Sequence, residues 1–467
     1  MDSDVRSLAG RHRRTTRLHK LASRFSSGSV SNGAWASFQQ FANLLFVGVF
    51  SVILARTVSV EDFGIYSYAL SLAGIGIAIG LAGLYGLAIK EYKSSSTPGL
   101  LTVSMILVRE ITVLVFFVLL LGFGSLTSNS ADEFLLLVLA GIAVFGRVLD
   151  VPELWYQAHL QARTPAIAKV SVALAFFLAK CVALRLGYGI LVVLLLYLME
   201  LLAASLIVLW RYSIDARPAK PFSKPEMSSV LSLWRQSSPL LISGIAQQIN
   251  LRAPIIVVNI MIGATGVAML SVSQRITDIC IALPMAYMTA TFPAMLEARA
   301  RRYADGEAGV SYDQLLRRSF DGALWMGVSV ALGLFLFADF IVRFVFGAEY
   351  LPAASLLRVQ ILAVPFMFMS AVFSKWIIAE GKLWISVGRQ WIGAAVNIAL
   401  CILLIPSIGI VGSAWASSIG YISAVYLFAF LSRATWPVAI HMTLAWFAPA
   451  RMLYGYVFVR KRRSHNV

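Results

Sequence analysis

Apolar residues run along this chain in long stretches of about twenty or more, separated by short polar turns. A run of that length crosses the roughly 30 Å hydrocarbon core of a bilayer as a helix. The pattern predicts twelve such helices, at 31–55, 64–88, 100–124, 133–156, 165–186, 188–210, 238–262, 265–291, 320–345, 354–379, 384–405 and 410–432. The stretch 56–72 (RTVSVEDFGIYSYALSL) is the first polar pause. It predicts a membrane turn, with Asp62 and Gly64 closing one span and opening the next, and with Asp62 near a helix N-terminus, where negative charge is favoured. A β-barrel would instead show short alternating segments.

Composition agrees: of 467 residues, 59% are hydrophobic and only 13% are charged, against about a quarter charged in soluble domains. The net charge of +17 suggests nucleic acid until its placement is considered. Lys and Arg crowd the tail before span one and the loops after spans two, six, eight and twelve, with Arg163 after span four and Lys382 after span ten; the other loops hold about one or none. That alternation is the signature of an inner-membrane protein with both termini cytoplasmic, and nucleic acid is not an expected partner. The basic N-terminus is followed by a run too long for a signal peptide and without a clear cleavage site, so an uncleaved first span is expected. Segment 434–459, broken by Trp436, Pro437, Pro449 and Arg451, is expected to lie in the membrane interface. Cys181, Cys280 and Cys401 sit in apolar runs and form no metal or disulfide pattern.

The chain repeats. Gln39-Gln-Phe-Ala-Asn43 in span one is echoed by Gln247-Gln-Ile-Asn250 in span seven. Trp155 leads through span five to Gly189 as Trp376 leads through span eleven to Gly409, with spacings one residue apart. Six helices repeated with an even offset give two halves of the same orientation, an arrangement common in secondary transporters. The expected organisation is an all-α polytopic membrane protein: a basic tail 1–30, a six-helix bundle 31–210, a basic linker 211–237, a second bundle 238–432, and an interfacial segment with a basic tail 433–467.

Three stretches carry a resemblance: 56–72, then Phe344-Val-Phe-Gly-Ala-Glu-Tyr350 followed by Ala353-Ala-Ser-Leu-Leu-Arg-Val-Gln-Ile-Leu362, and Ile405-Pro-Ser-Ile-Gly-Ile-Val-Gly-Ser-Ala414. In this order, on twelve spans, they resemble the polysaccharide transporter (Wzx-type) flippases of the multidrug/oligosaccharidyl-lipid/polysaccharide exporter superfamily, over about 30–432. The first departs from the family's Leu-Gly-Pro-like opening, having Val58-Ser59-Val60. The resemblance implies two bundles around a central cavity and a working monomer. It also implies movement of polyprenyl-diphosphate-linked oligosaccharide across the membrane for O-antigen, capsule or exopolysaccharide synthesis. A polysaccharide polymerase and a chain-length regulator would be partners. No cofactor is implied.

Such cargo, a diphosphate with sugars, needs a wet cationic path. Ionisable groups inside spans are costly and usually face a cavity or a partner. Gln248, Arg252 and Asn259 fall on one face of span seven. Gln39, Gln40 and Asn43 form the matching patch in span one, although polar glue between helices is the plainer reading. Arg275 and Asp278, three apart in span eight, are either functional or an ion pair. Arg109 and Arg147, the latter near Asp150, Lys180, which is able to snorkel, and Arg389 complete the substrate-binding candidates. Asp278, Glu110 and Glu200 are candidates for ion coupling. A lipid II flippase and a multidrug exporter of the same superfamily remain open alternatives. A membrane-bound polymerase or acyltransferase is disfavoured, since no histidine or carboxylate motif and no phosphate loop is present.

Overall fold

The computed structural model describes residues 31–451 except 82, 95–96, 128–130, 218–221, 226 and 306–308. The tail 1–30, part of the linker and residues 452–467 lie outside the described residues. All regular structure among the described residues is helical, and twelve helices are long and apolar enough to cross a membrane. Spans one to six are Ser31–Thr57, Val60–Leu81, Pro98–Thr127, Glu133–Ala158, Arg163–Arg185 and Ile190–Asp215. Spans seven to twelve are Leu240–Met261, Ala264–Ala300, Tyr312–Leu336, Ala353–Glu380, Leu383–Ile408 and Val411–Leu431. Large apolar side chains such as Leu119, Leu178, Phe340 and Leu403 are exposed on helix surfaces, as hydrocarbon solvent permits.

Several predicted boundaries move: span two stops at Leu81, span eight runs on to Ala300 and span nine starts at Tyr312, and two further shifts have clear local reasons. Span two begins at Val60, because Ser59 caps it: the Asp62 amide donates to Ser59 Oγ at 3.1 Å, and that hydroxyl donates to Asp62 Oδ2 at 2.7 Å, a reciprocal N-terminal cap. Asp62 is therefore near a helix N-terminus, as expected, but Gly64 is not a turn residue. It lies inside the helix, where a Cβ would stand 1.9 Å from the Ala264 carbonyl oxygen. Span nine ends at Leu336, not near 345. The rest of that apolar run is a separate helix, Ala338–Val345, with Asp339 in its first turn and Arg343 in its last, charges that suit its dipole at both ends.

Several spans are irregular. Span four is broken at 149–151, and its last piece, Pro152–Ala158, starts on a proline, which lacks the N–H that a continuing helix needs. Span ten is the helix Ala353–Gln360, a 3-10 turn Ile361–Ala363, and then Val364–Glu380. Span twelve carries a π-helical turn, Ser423–Leu427. Irregular backbone at membrane depth is tolerated where protein or a polar cavity satisfies it.

The chain forms two compact units. One comprises 1–51, 80–122 and 138–238; the other comprises 52–79, 123–137 and 239–467. In unit one, Trp155 stacks among Tyr156, His159 and Tyr212 with ring centroids 5.1, 4.5 and 5.3 Å away. Thr102 links the hydroxyls of Tyr92 and Tyr212 at 2.8 and 2.9 Å. The core of unit two centres on Met288, Phe320, Phe368, Phe373 and Trp376. There the short helix Trp436–Trp446 buries Val438, Ala439, Met442 and Ala445, and its Ala445 carbonyl accepts a bond from Trp325 Nε1 at 3.0 Å.

The sequence repeat is visible in the backbone. Five residues after Trp155, Leu160 adopts φ 58°; five after Trp376, Gly381 adopts φ 68°. Each closes its helix with the same pair of bonds, Leu160 N to Gln157 O and Gln161 N to Tyr156 O in one, Gly381 N to Ile378 O and Lys382 N to Ile377 O in the other. This is the Schellman end, which favours glycine.

Candidate functional site

Unit one holds an open-sided cavity of about 550 Å³, lined by Gln39, Gln40, Asn43, Arg147, Glu153 and Gln157 together with Ala36, Leu44 and Val47. Four of the sequence-predicted residues thus meet: the amide patch of span one and Arg147 of span four. The break in the helix after Val148 makes this possible. It turns Asp150 and Glu153 out of register with the preceding helix and toward Lys169 of span five. Lys169 Nζ lies 2.6 Å from Asp150 Oδ2 and in close contact with Glu153 Oε2; Arg147 reaches Asp150 Oδ2 at 3.3 Å. Gln39 Nε2 donates to Glu153 Oε1 at 3.2 Å, and Gln157 Nε2 donates to the same atom at 3.4 Å. Arg109, 2% exposed, lies within electrostatic reach of Asp150, Arg147 and Glu153, and its Nε has no partner. Three basic groups therefore face two acidic ones, and the cluster carries a positive excess. Lys169, Asp150, Glu153 and Gln157 were not among the predicted site residues.

Unit two holds a smaller polar cavity of about 70 Å³, room for a handful of waters. Arg252, Asp278, Gln274 and Gln360 line it with Asn250 and Asn397. Its construction follows from Pro254 in span seven: with no N–H there, the Asn250 carbonyl loses its helical donor. Asn397 Nδ2 of span eleven supplies the replacement, at 2.7 Å from Asn250 O and 3.2 Å from Asn250 Oδ1. Gln360, where span ten breaks, is 4% exposed, and both of its amide atoms lack a partner. No salt bridge joins Asp278 to Arg275 or Arg252 among the described residues.

The remaining candidates lie elsewhere. Gln248 is half-buried and outside this lining. Asn259 donates to Glu133 Oε1 at 3.0 Å. Arg275 stacks over Phe63 at 5.2 Å and donates to Ser67 Oγ at 3.4 Å. Arg389, 5% exposed, bonds Ser370 Oγ and Ser374 Oγ at 3.3 and 2.8 Å and covers Phe373. Lys180 pairs with Glu200 at 2.7 Å beside Phe50 and Tyr197. Glu110 is half-buried, with no hydrogen bond or ion pair among the described residues. Two of the three stretches that carried the resemblance meet in unit two. Arg56 donates to the carbonyls of Val345, at 2.9 Å, and Phe344, and Phe63 packs edge-on to Tyr350 at 5.6 Å. Burial and the neighbouring Glu349 push the Tyr350 hydroxyl up to about 12, against the opposing charge of Arg275. No cluster of three His, Cys, Asp or Glu side chains suited to a metal occurs among the described residues.

No curated protein matches the chain in sequence. In structure it is similar to the lipid II flippase MurJ in an inward closed conformation, with TM-score 0.66 and 15% identity over 89% of this chain and 92% of that one. It is also similar to an inward-facing multidrug resistance MATE family transporter of the MOP superfamily, with TM-score 0.54 and 15% identity over 91% and 99% of the two chains. A variant of the Vibrio cholerae MATE transporter VcmN gives TM-score 0.55 and 15% identity over 90% and 97%. At such identity these likenesses are of fold. The family model described as polysaccharide biosynthesis protein matches residues 29–299, more than half the chain. This protein therefore belongs to the polysaccharide biosynthesis protein family.

Proposed function

We propose that the protein is a flippase that moves polyprenyl-diphosphate-linked oligosaccharide repeat units from the cytoplasmic to the periplasmic leaflet of a bacterial inner membrane. The repeat units serve O-antigen, capsule or exopolysaccharide synthesis. The observation that carries this reading is the unit-one cavity, where amides able to bond sugar hydroxyls stand beside a guanidinium able to grip phosphate. Gln39, Gln40 and Asn43 lie in the first half of span one, on the side toward the basic tail. Under the positive-inside rule that side is cytoplasmic, where lipid-linked units are made. Transport by alternating access makes and breaks no covalent bond, so the reading needs neither a catalytic residue nor a cofactor. Within unit two, Arg252 is a second guanidinium suited to phosphate, and Asp278, which lines the same small cavity and has no salt bridge among the described residues, is the carboxylate we assign to ion coupling.

The test is a deletion in a polysaccharide-producing host, complemented with wild type or with Arg147→Gln. Full-length repeat units should accumulate on polyprenyl diphosphate at the cytoplasmic face, relieved by wild type and not by a well-expressed Arg147→Gln. Repeat units that reach the periplasm normally but stay unpolymerised would overturn the transport reading. Accumulation of a peptidoglycan precursor would make the lipid II flippase the better one.

A further inference from the structure

Glu153 is held in a way that an anion-binding site would hold its ligand. Three donors converge on its carboxylate: the Lys169 ammonium on Oε2, and the Gln39 and Gln157 amides on Oε1. The two carboxylates that neutralise Lys169 are not equivalent. Asp150 is 4% exposed, keeps a second cation in Arg147, and does not line the cavity. Glu153 is 18% exposed at its side chain and is the one acidic residue among the described residues that line the cavity.

From this we infer that Glu153 is an internal stand-in for the substrate's phosphate, and that the arriving diphosphate displaces it and takes over Lys169 together with Gln39 and Gln157. The inference rests on the flippase reading above and adds Lys169 to the groups that hold the cargo. Displacement follows from electrostatics: a carboxylate and a diphosphate sharing one set of donors repel at short range in a medium that screens poorly. The diphosphate brings more charge and more acceptor oxygens, so it wins the donors. Lys169 loses nothing in the exchange, because Asp150 stays at 2.6 Å. The competition also serves turnover. When the cargo leaves, Glu153 returns to its donors, so the Gln39 and Gln157 amides are not left without an acceptor, and the cargo is held weakly enough to be released.

The test uses the purified full-length protein in detergent, with farnesyl diphosphate as the probe and calorimetric titration as the readout. Glu153→Gln keeps the shape and removes the competing charge; it should bind the probe about tenfold tighter than wild type, which is 1.4 kcal/mol. Glu153→Asp should stay near wild type. The charge-balanced double variant Lys169→Met with Asp150→Asn should bind about tenfold more weakly, and it keeps the inference testable where Glu153→Gln does not fold. Wild type that binds while a folded Glu153→Gln binds no tighter, or a double variant that binds as wild type does, overturns the inference and leaves the flippase reading intact. Failure of wild type and every folded variant to bind farnesyl diphosphate overturns both.

Discussion

Lys180 and Glu200 tie span five to span six, and neutralising either one alone should be costly. The ammonium lies 2.7 Å from the carboxylate, with side chains only 8% and 19% exposed. Glu200→Gln leaves an unmatched cation at an apolar helix surface. Breaking a buried pair from one side costs about 3–5 kcal/mol. Lys180 keeps the faces of Phe50 at 4.9 Å and Tyr197 at 5.9 Å in both forms, which cushions the unmatched charge. The expected loss therefore falls toward the lower end of that range, about 3 kcal/mol. Replacing both, as Lys180→Met with Glu200→Leu, removes charge and counter-charge together and should return stability to within about 1 kcal/mol of wild type. Reversible unfolding in mixed detergent micelles, arranged as a double-mutant cycle, gives the coupling directly. Single variants within about 0.5 kcal/mol of wild type would refute the reasoning, because the pair would then be solvated rather than buried. A stable double variant that no longer complements the deletion strain would assign the pair a part in transport beyond packing.

Other expectations follow from local geometry. Gly64→Ala drives a methyl against the Ala264 carbonyl, and overpacking of this kind should cost about 1–3 kcal/mol in thermal unfolding. Leu160 stands at φ 58° where the repeat has Gly381, so Leu160→Gly should stabilise by roughly 1 kcal/mol; a destabilised variant would show that the leucine packs usefully. His441 is half-buried, and desolvation, with Arg317 adding to it and Asp313 opposing it, holds its imidazole below the usual histidine range. The unfolded chain then binds its proton first, so stability should fall as pH drops below about 6.5; His441→Gln should flatten that slope in a pH series of melting temperatures.

Much of this was legible in the residues, and what was not has physical causes. Length and apolarity fix the spans, and the Lys and Arg pattern orders the loops. The amide patch of span one stands out because glutamine and asparagine are rare inside an apolar run. Arg147 and Asp150 are three apart, so their pairing is local. Lys169 is different: it lies 19 residues from Asp150, across a turn, and alone it reads as one more basic residue at a cytoplasmic end. Only the break after Val148 and the left-handed turn at Leu160 bring 150, 153 and 169 together. Asn250 and Asn397, 147 positions apart, meet because Pro254 frees a carbonyl. A proline inside a span is visible in the sequence, but which helix answers the freed carbonyl is not. Gln360 was visible only inside a resembling stretch, since its meaning depends on the break in span ten. Gly64 was misjudged because glycine in a polar segment usually signals a turn, and close helix contact gives the same residue another use.

In the proposed function, the unit-one cavity grips a diphosphate on a lipid-linked sugar. The most direct measurement reconstitutes the protein in liposomes with a labelled polyprenyl-diphosphate oligosaccharide and follows its transfer between leaflets with an added glycosidase. Wild type should carry the labelled lipid, and Arg147→Gln should slow transfer at least about tenfold, the loss of one charge-assisted contact. Transfer by Arg147→Gln at the wild-type rate would show that Arg147 does not hold the diphosphate and that the cavity is not its site.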